Sequence, residues 1–156
     1  MRDNGVETGG IKNYKLKMED NKIVITNEQG KVMLVWSSNF SVGVNIFFEL
    51  NKFLAQKMAE QPQYMPSITE IHHIHKLDKP SGTAKTLAEQ IANLSPTLST
   101  REEVRIPIES IREGEVPGTH EVTWDSEEDT IVITHIAKGR RGFALGAVLA
   151  AEEITC

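Results

Sequence analysis

The sequence is poor in cysteine, which limits how the chain can be held together. Cys156 is the only cysteine among 156 residues, so no disulfide can form within the chain, and this composition is typical of a reducing compartment. No apolar run approaches the roughly 18 residues that a membrane helix needs. The opening residues, MRDNGVETGG, contain no apolar stretch like that of a secretory signal. We therefore expect a cytoplasmic protein with no membrane partner.

Positive charge is also in deficit. The chain carries 17 Lys and Arg against 22 Asp and Glu, a formal net charge of −5. Nucleic acids and anionic membranes reward a basic surface, so we expect neither as the main partner. A local group of cations that binds a small anion is still compatible with this balance. The length allows one domain with a genuine core and is marginal for two.

A glycine-rich phosphate loop is the third absence. None of the 11 glycines falls in a G-x-G-x-x-G pattern, and the adjacent pair in ETGGIKNYKL follows no apolar strand. A Rossmann nucleotide-binding unit needs that turn, and its strand–helix–strand core takes about thirty residues or more. We therefore expect no complete nucleotide-binding domain in this sequence.

Hydrophobic periodicity and turn residues predict an α+β fold: a mixed, largely antiparallel sheet with helices packed on one face. The helix predicted over 41–60 has Ser41 as its N-cap, and Phe47 and Phe48 widen its apolar face, so we expect it to be well buried. Its apolar positions are Val42, Ile46, Leu50, Phe53, Leu54 and Met58. The other predicted elements are two strands within 21–36 around a turn at 28–30, strands over about 68–75, 120–125 and 130–137, one or two strands within 104–118, and helices over 83–94 and 139–154.

The stretch EIHHIHKLDKPSGTAK, residues 70–85, gathers histidines, lysines and a Ser-Gly-Thr turn. Histidine is the side chain best suited to moving a proton near neutral pH, and a nearby lysine can hold a carboxylate. The PSGT turn opens a helix, whose backbone N–H groups and dipole attract anions. Strand alternation would place His73 and His75 on one face, and His72 with Lys76 on the other. The stretch predicts a pocket for a small carboxylate with an imidazole beside it.

Each part of this stretch also has a plainer explanation. The PSGT turn can serve only as a helix cap, and neighbouring histidines can be surface polar residues. A metal hydrolase is another alternative, because His73-Ile74-His75 forms an HxH pair on a predicted strand. That site would need further ligands, and nothing in the spacing of His120 and His135 selects them. We expect these two histidines to be structural and predict no bound metal.

The same residues lead to a known family. EIHHIHKLDKPSGTA closely resembles the E-x-H-H-x-x-K-x-D-x-P-S-G-T-A signature of the 4-hydroxy-tetrahydrodipicolinate reductases, formerly called dihydrodipicolinate reductases. SSNFSVGVN is similar to the segment that links the family's two domains, and REGEVPGTHEV with ITHIAKGRRGFALGAVLAAE looks like its later strands and closing helix. The resemblance covers about residues 32–153. It implies an NAD(P)H-dependent oxidoreductase of the diaminopimelate route to lysine, acting on a cyclic dicarboxylate.

The resemblance also implies roles for individual positions. His72 takes the place of the family's general acid/base, and Lys76 that of its proton donor. The positions matched to the substrate are His73, Ser81, Gly82 and Thr83. The positions matched to the NADPH or NADH cofactor are Ser37, Ser38, Asn39, Phe40 and Arg140.

The departures from the family limit what this chain is expected to do. Residues 1–31 are an atypical N-terminal segment with possible short strands, and residues 32–156 correspond to the family's C-terminal, substrate-binding and oligomerisation domain. The family's N-terminal Rossmann domain is essentially missing, so we expect a truncated chain that binds the cofactor weakly. The family also implies a homotetramer. The alternative function is a non-catalytic dicarboxylate-binding or assembly module that pairs with full-length subunits.

Overall fold

The computed structural model describes residues 14–19, 22–27, 32–36, 39–94 and 106–155. The predicted loop over 95–103 and the predicted turn at 28–30 lie outside these ranges. The chain divides into two compact units, one of residues 43–140 and one of residues 1–42 with 141–156. Within the described ranges, no helix combines the length and apolar character that crossing a bilayer demands.

The elements are named here in chain order. The strands are β1 (Tyr14–Glu19), β2 (Lys22–Asn27), β3 (Val32–Trp36), β4 (Met65–His72), β5 (Ile108–Arg112), β6 (Thr119–Asp125) and β7 (Thr130–Ile136). The helices are α1 (Val42–Met58), α2 (Gly82–Leu94) and α3 (Arg141–Thr155).

The 43–140 unit is built on a four-stranded sheet in the order β5-β4-β6-β7. β4 runs parallel to β5 and antiparallel to β6, and β6 and β7 form an antiparallel hairpin. α1 and α2 pack on one face of this sheet, which we call the helix face. The opposite side is the open face. The predicted α+β class, with a mixed and largely antiparallel sheet, is confirmed, whereas β1–β3 form a second, separate antiparallel sheet.

Alternation along β4 separates the two faces. Pro66, Ile68, Glu70 and His72 are buried, while the residues between them are half-buried or exposed. Across the sheet, Ile68 pairs with Val122, which is also buried. The apolar core of this unit contains Val44, Phe47, Phe48, Ala55 and Met58 of α1, Ala84, Leu87 and Ile91 of α2, and Ile68, Ile106, Val122 and Trp124.

The predicted buried face of α1 is largely wrong. Val42, Ile46, Leu50 and Phe53 are between 49% and 59% exposed. The sheet is covered instead by the side of the helix that carries Val44, Phe47, Phe48, Asn51, Ala55 and Met58. The fully buried Asn51 amide donates to the Leu87 carbonyl at 3.1 Å, which ties this side of α1 to α2. An apolar stripe on each side of the helix left the sequence pattern ambiguous, and packing chose between them.

The smaller unit contains β1–β3 and α3. Its three strands form an antiparallel sheet in chain order, so the predicted pairing of β2 with β3 is confirmed. α3 passes so close to the preceding chain that a Cβ on Gly146 would fall 1.6 Å from the Phe40 carbonyl oxygen. Only glycine fits at this point of α3.

Candidate functional site

Glu70 is the centre of a buried polar cluster on the helix face of the 43–140 unit. It sits two residues before the end of β4, and its side chain is fully buried. Its Oε1 accepts a hydrogen bond from the Ser81 backbone N–H at 3.0 Å and another from Arg112 Nη2 at 3.1 Å. Its Oε2 faces two imidazoles, 3.0 Å from His72 Nδ1 and 3.9 Å from His120 Nε2. One carboxylate therefore joins two strands, a helix start and two histidines.

The cluster keeps Glu70 ionised. Burial by itself would raise the pKa of this carboxyl, because a buried charge loses its hydration. The polar groups of His72, Ser81 and Ser110 next to the carboxylate oppose that effect and bring the pKa of Glu70 well below its usual range. A buried carboxylate is stable in a protein only when its partners replace water in this way.

His72 ends β4 with its ring held against Glu70. Its side chain is 9% exposed, and its ring meets that of His120 edge-on, with the centroids 5.0 Å apart. The 3.0 Å contact with Glu70 is an ion pair whenever His72 is protonated, although Oε2 lies off the axis of an Nδ1–H bond. The other ring nitrogen is next to Gly118, where a Cβ would stand 3.1 Å from His72 Nε2. Any side chain at position 118 would therefore crowd Nε2.

The two histidines of the β6–β7 hairpin lie next to each other in the sheet, as cross-strand partners. Burial, aided by the nearby His72, lowers the pKa of His120 to about 4, so this imidazole is neutral at pH 7. Its Nε2 is 3.1 Å from Ser81 Oγ. Burial also lowers the pKa of His135, whose ring lies 6.0 Å from that of Phe47. His120 thus borders the Glu70 cluster, although the sequence suggested only a structural residue.

The start of α2 is attached to the same cluster through Ser81. The Ser81 hydroxyl accepts a hydrogen bond from the Ala84 N–H at 3.2 Å, and its carbonyl accepts the first helical bond from Lys85. Ser81 is therefore the N-cap, as the PSGT turn predicted. Gly82 is exposed at the first helical position, whereas Ser81 and Thr83 are buried.

The loop between β4 and α2 is fixed by Arg112 at the end of β5. The guanidinium donates from Nε to the Lys76 carbonyl at 3.2 Å and from Nη2 to the Asp78 carbonyl. The Lys76 ammonium forms an ion pair with Asp78 at 2.8 Å. The backbone N–H of Lys76 donates to the carbonyl of His73, which closes a turn directly after the strand. Arg112 thereby connects Glu70 to the backbone that carries Lys76.

The predicted extent of this strand was wrong at its far end. β4 stops at His72, so the expected alternation does not continue through residues 73–76. The turn instead leaves His73 half-buried, and its ring is 6.1 Å from that of the exposed His75. The strand ends where the backbone turns at residues 73–76: the Lys76 N–H donates to the His73 carbonyl, and Arg112 Nε donates to the Lys76 carbonyl.

The residues matched to the cofactor are spread over both units. Ser37 and Ser38 lie outside the described residues. Asn39 and Phe40 belong to the smaller unit, where Asn39 Oδ1 accepts a hydrogen bond from the Ser41 N–H at 2.8 Å and Phe40 is buried. Arg140 is exposed and ends the 43–140 unit.

Metal-ligand side chains also meet in the cluster. Three side chains each offer one ligand atom within 4.8 Å of the others: Glu70, His72 and His120. Among the residues that the structure describes, this is the group whose spacing could hold a metal ion. The HxH pair that raised the metal alternative is not part of it. Arg112 Nη2 is 3.1 Å from the same carboxylate, and a fixed cation there disfavours a second one.

Three residues of the cluster were not singled out from the sequence. Glu70 opened the quoted stretch but had no assigned role, and its alternation with His72 on one strand face was the available signal. Arg112 and Gly118 are about 40 residues further along the chain. Only the pairing of β4 with β5 and β6 brings them to His72.

The chain is similar in sequence to known proteins. The family model described as dihydrodipicolinate reductase, C-terminus, matches residues 43–156. A 4-hydroxy-tetrahydrodipicolinate reductase of Christiangramia forsetii is 54% identical over 125 residues, covering 77% of this chain and 52% of that protein. The protein of the same description from Methanopyrus kandleri is 35% identical over 159 residues, covering 96% of this chain and 56% of its own length. The chain spans about half the length of these curated relatives.

A solved structure agrees with these relatives. The dipicolinate-bound dihydrodipicolinate reductase from Paenisporosarcina sp. TG-14 is 26% identical to the chain, with a TM-score of 0.57. The match covers 74% of this chain and 47% of that one. The similarity in sequence therefore extends to the fold.

Proposed function

The chain belongs to the dihydrodipicolinate reductase family, a family of oxidoreductases of diaminopimelate and lysine biosynthesis, and from this we propose that it carries the family's substrate-binding and proton-transfer part. The proposal takes residues 32–156 as that C-terminal domain and residues 1–31 as an atypical segment before it. A cytoplasmic location is part of the same proposal. The observation that supports the proposed substrate-binding and proton-transfer part most directly is the Glu70 carboxylate, which contacts both His72 and Ser81, the N-cap of α2.

His72 is the proposed general acid/base. Its Nδ1 faces Glu70, and its Nε2 lies beside Gly118, which places no side chain against it, so Nε2 is the atom proposed to exchange a proton with substrate. Lys76 is the proposed proton donor and attracts the substrate's negative charge. Its ammonium, paired with Asp78 at 2.8 Å in this structure, would exchange that partner for the substrate.

The substrate is proposed to be a cyclic dicarboxylate. Its carboxylates would bind to His73 and to the Gly82-Thr83 backbone at the start of α2, where the helix dipole favours an anion. Ser81 supports that turn from inside, since its hydroxyl is engaged with Ala84 and His120. The homologous Paenisporosarcina reductase is described with dipicolinate, a planar dicarboxylate of this class.

A reduced nicotinamide cofactor, NADPH or NADH, supplies the hydride when it is bound. Ser37, Ser38, Asn39, Phe40 and Arg140 are the residues of this chain proposed to contact it. No glycine-rich phosphate turn occurs in the sequence, so the pyrophosphate would lack its usual helix N-terminus. We propose that this chain alone binds the cofactor weakly, and micromolar affinity for NADPH would contradict that statement.

The experiment that tests the substrate site is a calorimetric titration of the purified chain with pyridine-2,6-dicarboxylate. We expect saturable binding that Lys76→Ala and His72→Ala each weaken by roughly tenfold or more, since the first removes a charged partner of the substrate and the second removes a hydrogen-bonding ring. Lys57→Ala on α1 and His75→Ala in the loop are matched controls, because both side chains are exposed. A folded wild-type chain that gives no saturable heat would refute the substrate site.

A second candidate function is assembly through the open face of the sheet. Exposed apolar side chains occur there on the first residue of β4 and along β7: Met65 is 50%, Val132 47% and Ile136 64% exposed. Ile71 and Ile111 are cross-strand partners on the same face. An apolar sheet face of this kind is typical of a surface that a partner covers. We propose a homo-oligomer, a tetramer by analogy with the family, or pairing with full-length subunits.

Assembly is tested by sedimentation velocity of the wild-type chain and of Val132→Lys. The wild type is expected to sediment as an oligomer, and the buried lysine charge to return it to a monomer. Glu127→Lys, on the exposed β6–β7 turn, changes charge without touching the sheet face and serves as the control. A monomeric wild-type chain at high micromolar concentration would contradict self-assembly.

A further inference from the structure

Two hydrogen bonds from different parts of the fold immobilise the Glu70 carboxylate. Oε1 is held from two directions, by the Ser81 N–H at the start of α2 and by the Arg112 guanidinium at the end of β5. These anchors belong to different elements, so the carboxylate cannot turn without disturbing both. Oε2 is thereby fixed at 3.0 Å from His72 Nδ1.

The surroundings of His72 differ between the two nitrogens of its ring. His120 meets the ring edge-on with centroids 5.0 Å apart, and Gly118 places no side chain against Nε2, where a Cβ would stand only 3.1 Å away. With Nδ1 at the carboxylate and no side chain at position 118 against Nε2, the ring has one side for orientation and one side for chemistry. A carboxylate at Nδ1 favours the tautomer with the proton there, which leaves the Nε2 lone pair available. Oε2 lies off the Nδ1–H axis, but such bonds often align only when substrate is bound.

Arg112 also holds the loop that follows β4. Besides Glu70, its guanidinium holds the carbonyl groups of Lys76 and Asp78. Asp78 in turn pairs with the Lys76 ammonium. The backbone of Lys76 and the ring of His72 are therefore both held by the same buried ion pair, Glu70–Arg112.

We propose that Glu70 and Arg112 are positioning residues, with Glu70 fixing the tautomer and orientation of His72 and Arg112 fixing the loop that carries Lys76. The inference rests on the proposed roles of His72 and Lys76 in proton transfer. Neither positioning residue is required to touch the substrate. Each acts through the group that it orients.

The first test reads the His72 tautomer by ¹⁵N NMR of histidine-labelled protein. In the wild-type chain we expect neutral His72 to carry its proton on Nδ1, with the signal assigned by its loss in His72→Gln. In Glu70→Gln the preference is expected to be lost, since the amide can present an N–H to Nδ1. Glu89→Gln, the same change at an exposed position of α2, should leave the signal unchanged. A role in folding alone would not alter the tautomer.

The second test measures pyridine-2,6-dicarboxylate affinity in the same variants. Glu70→Gln is expected to weaken binding by roughly tenfold or more. Arg112→Lys keeps a cation for Glu70 but loses the planar reach to two carbonyl groups, so it should weaken binding while His72 keeps its tautomer. If Glu70→Gln fails to fold, the neutral pair Glu70→Gln/Arg112→Met replaces it in both tests.

The outcomes separate this inference from the proposed function. A wild-type His72 protonated on Nε2, or a tautomer that Glu70→Gln leaves unchanged, overturns the role of Glu70. An affinity that Arg112→Lys leaves unchanged overturns the role of Arg112. If the wild-type chain binds no dicarboxylate, the substrate site fails, but the tautomer test still decides the role of Glu70.

Discussion

The guanidinium of Arg112 and the carboxylate of Glu70 form an ion pair, Nη2 to Oε1 3.1 Å, with side chains that are 8% and 0% exposed. The parallel pairing of β4 with β5 brings the two residues together, since His72 is the register partner of Arg112 and Glu70 is two residues earlier. Glu70 contacts His72, and Arg112 holds the backbone of Lys76, so both residues proposed to transfer protons depend on this ion pair.

The ion pair should behave as a coupled unit in stability measurements. Arg112→Met leaves a buried carboxylate without its cation and should lower the free energy of unfolding by about 3–5 kcal/mol. Glu70→Gln/Arg112→Met removes both charges and should lower it by less than the single change. Urea unfolding of the wild type, the two single variants and the double variant gives the coupling free energy between the two side chains. The exposed pair Lys52–Glu49, 2.7 Å apart, is the control and should contribute less than about 1 kcal/mol. Equal losses in the single and double variants would contradict a coupled pair.

The core between α2 and the sheet should depend on Leu87. Leu87 is fully buried, so Leu87→Ala should reduce the free energy of unfolding by roughly 2–5 kcal/mol through lost burial and a cavity. Leu77→Ala is the matched control because Leu77 is 94% exposed, and its effect should stay within about 0.5 kcal/mol. Trp124, buried in the same core, supplies a fluorescence signal. Similar losses in both variants would place the core elsewhere.

His120 should make the fold sensitive to mild acid. Burial lowers its pKa from 6.5 to about 4, so between these values the unfolded chain binds a proton that the folded chain does not. Its contribution is therefore fully present above pH 6.5 and falls as the pH drops towards 4, by roughly 3 kcal/mol in total.

Urea unfolding at pH 7 and at pH 4.5 measures this effect. His120→Gln should remove much of the difference between the two pH values, whereas the exposed His75→Gln should keep it. Glu70, whose pKa is lowered from its ordinary value of 4.5, adds a further loss of stability as the pH falls through that value. A wild-type stability that is flat from pH 7 to 4.5 would be the opposite of this expectation.

Gly118 should be needed for the His72 ring and not only for the backbone. Its φ is +151°, and a Cβ would stand 3.1 Å from His72 Nε2, so Gly118→Ala should disturb the His72 NMR signal and weaken dicarboxylate binding. Gly114 also has a positive φ, +47°, but open space around it. Gly114→Ala should therefore lose roughly 1–2 kcal/mol of stability through strain alone and leave the His72 signal in place. Identical spectra for the two variants would exclude a contact effect.

Local signals in the sequence determined much of this protein. Turn residues and alternation located the β6–β7 hairpin within about one residue, as β6 (Thr119–Asp125) and β7 (Thr130–Ile136) show. Ser81 was predicted as part of a helix start, and its hydroxyl does cap α2. The stretch at 70–85 also pointed to the family that the comparisons then supported. These features depend on residues close together in the chain, where backbone preference and capping act.

Only the tertiary structure decided the rest. The apolar stripes on α1 are similar by sequence, and packing on the sheet buried Phe47 and left Phe53 exposed. β4 ends at His72 and is followed by a turn that the distant Arg112 holds through the Lys76 carbonyl, which the local pattern did not indicate. Arg112 and Gly118 join the cluster through strand pairing across some 40 residues. The side chains proposed to react lie in one short stretch together with Glu70, but Arg112, the cation that pairs with this carboxylate, comes from a distant segment. A buried carboxylate such as Glu70 can be desolvated only where the fold supplies its partners.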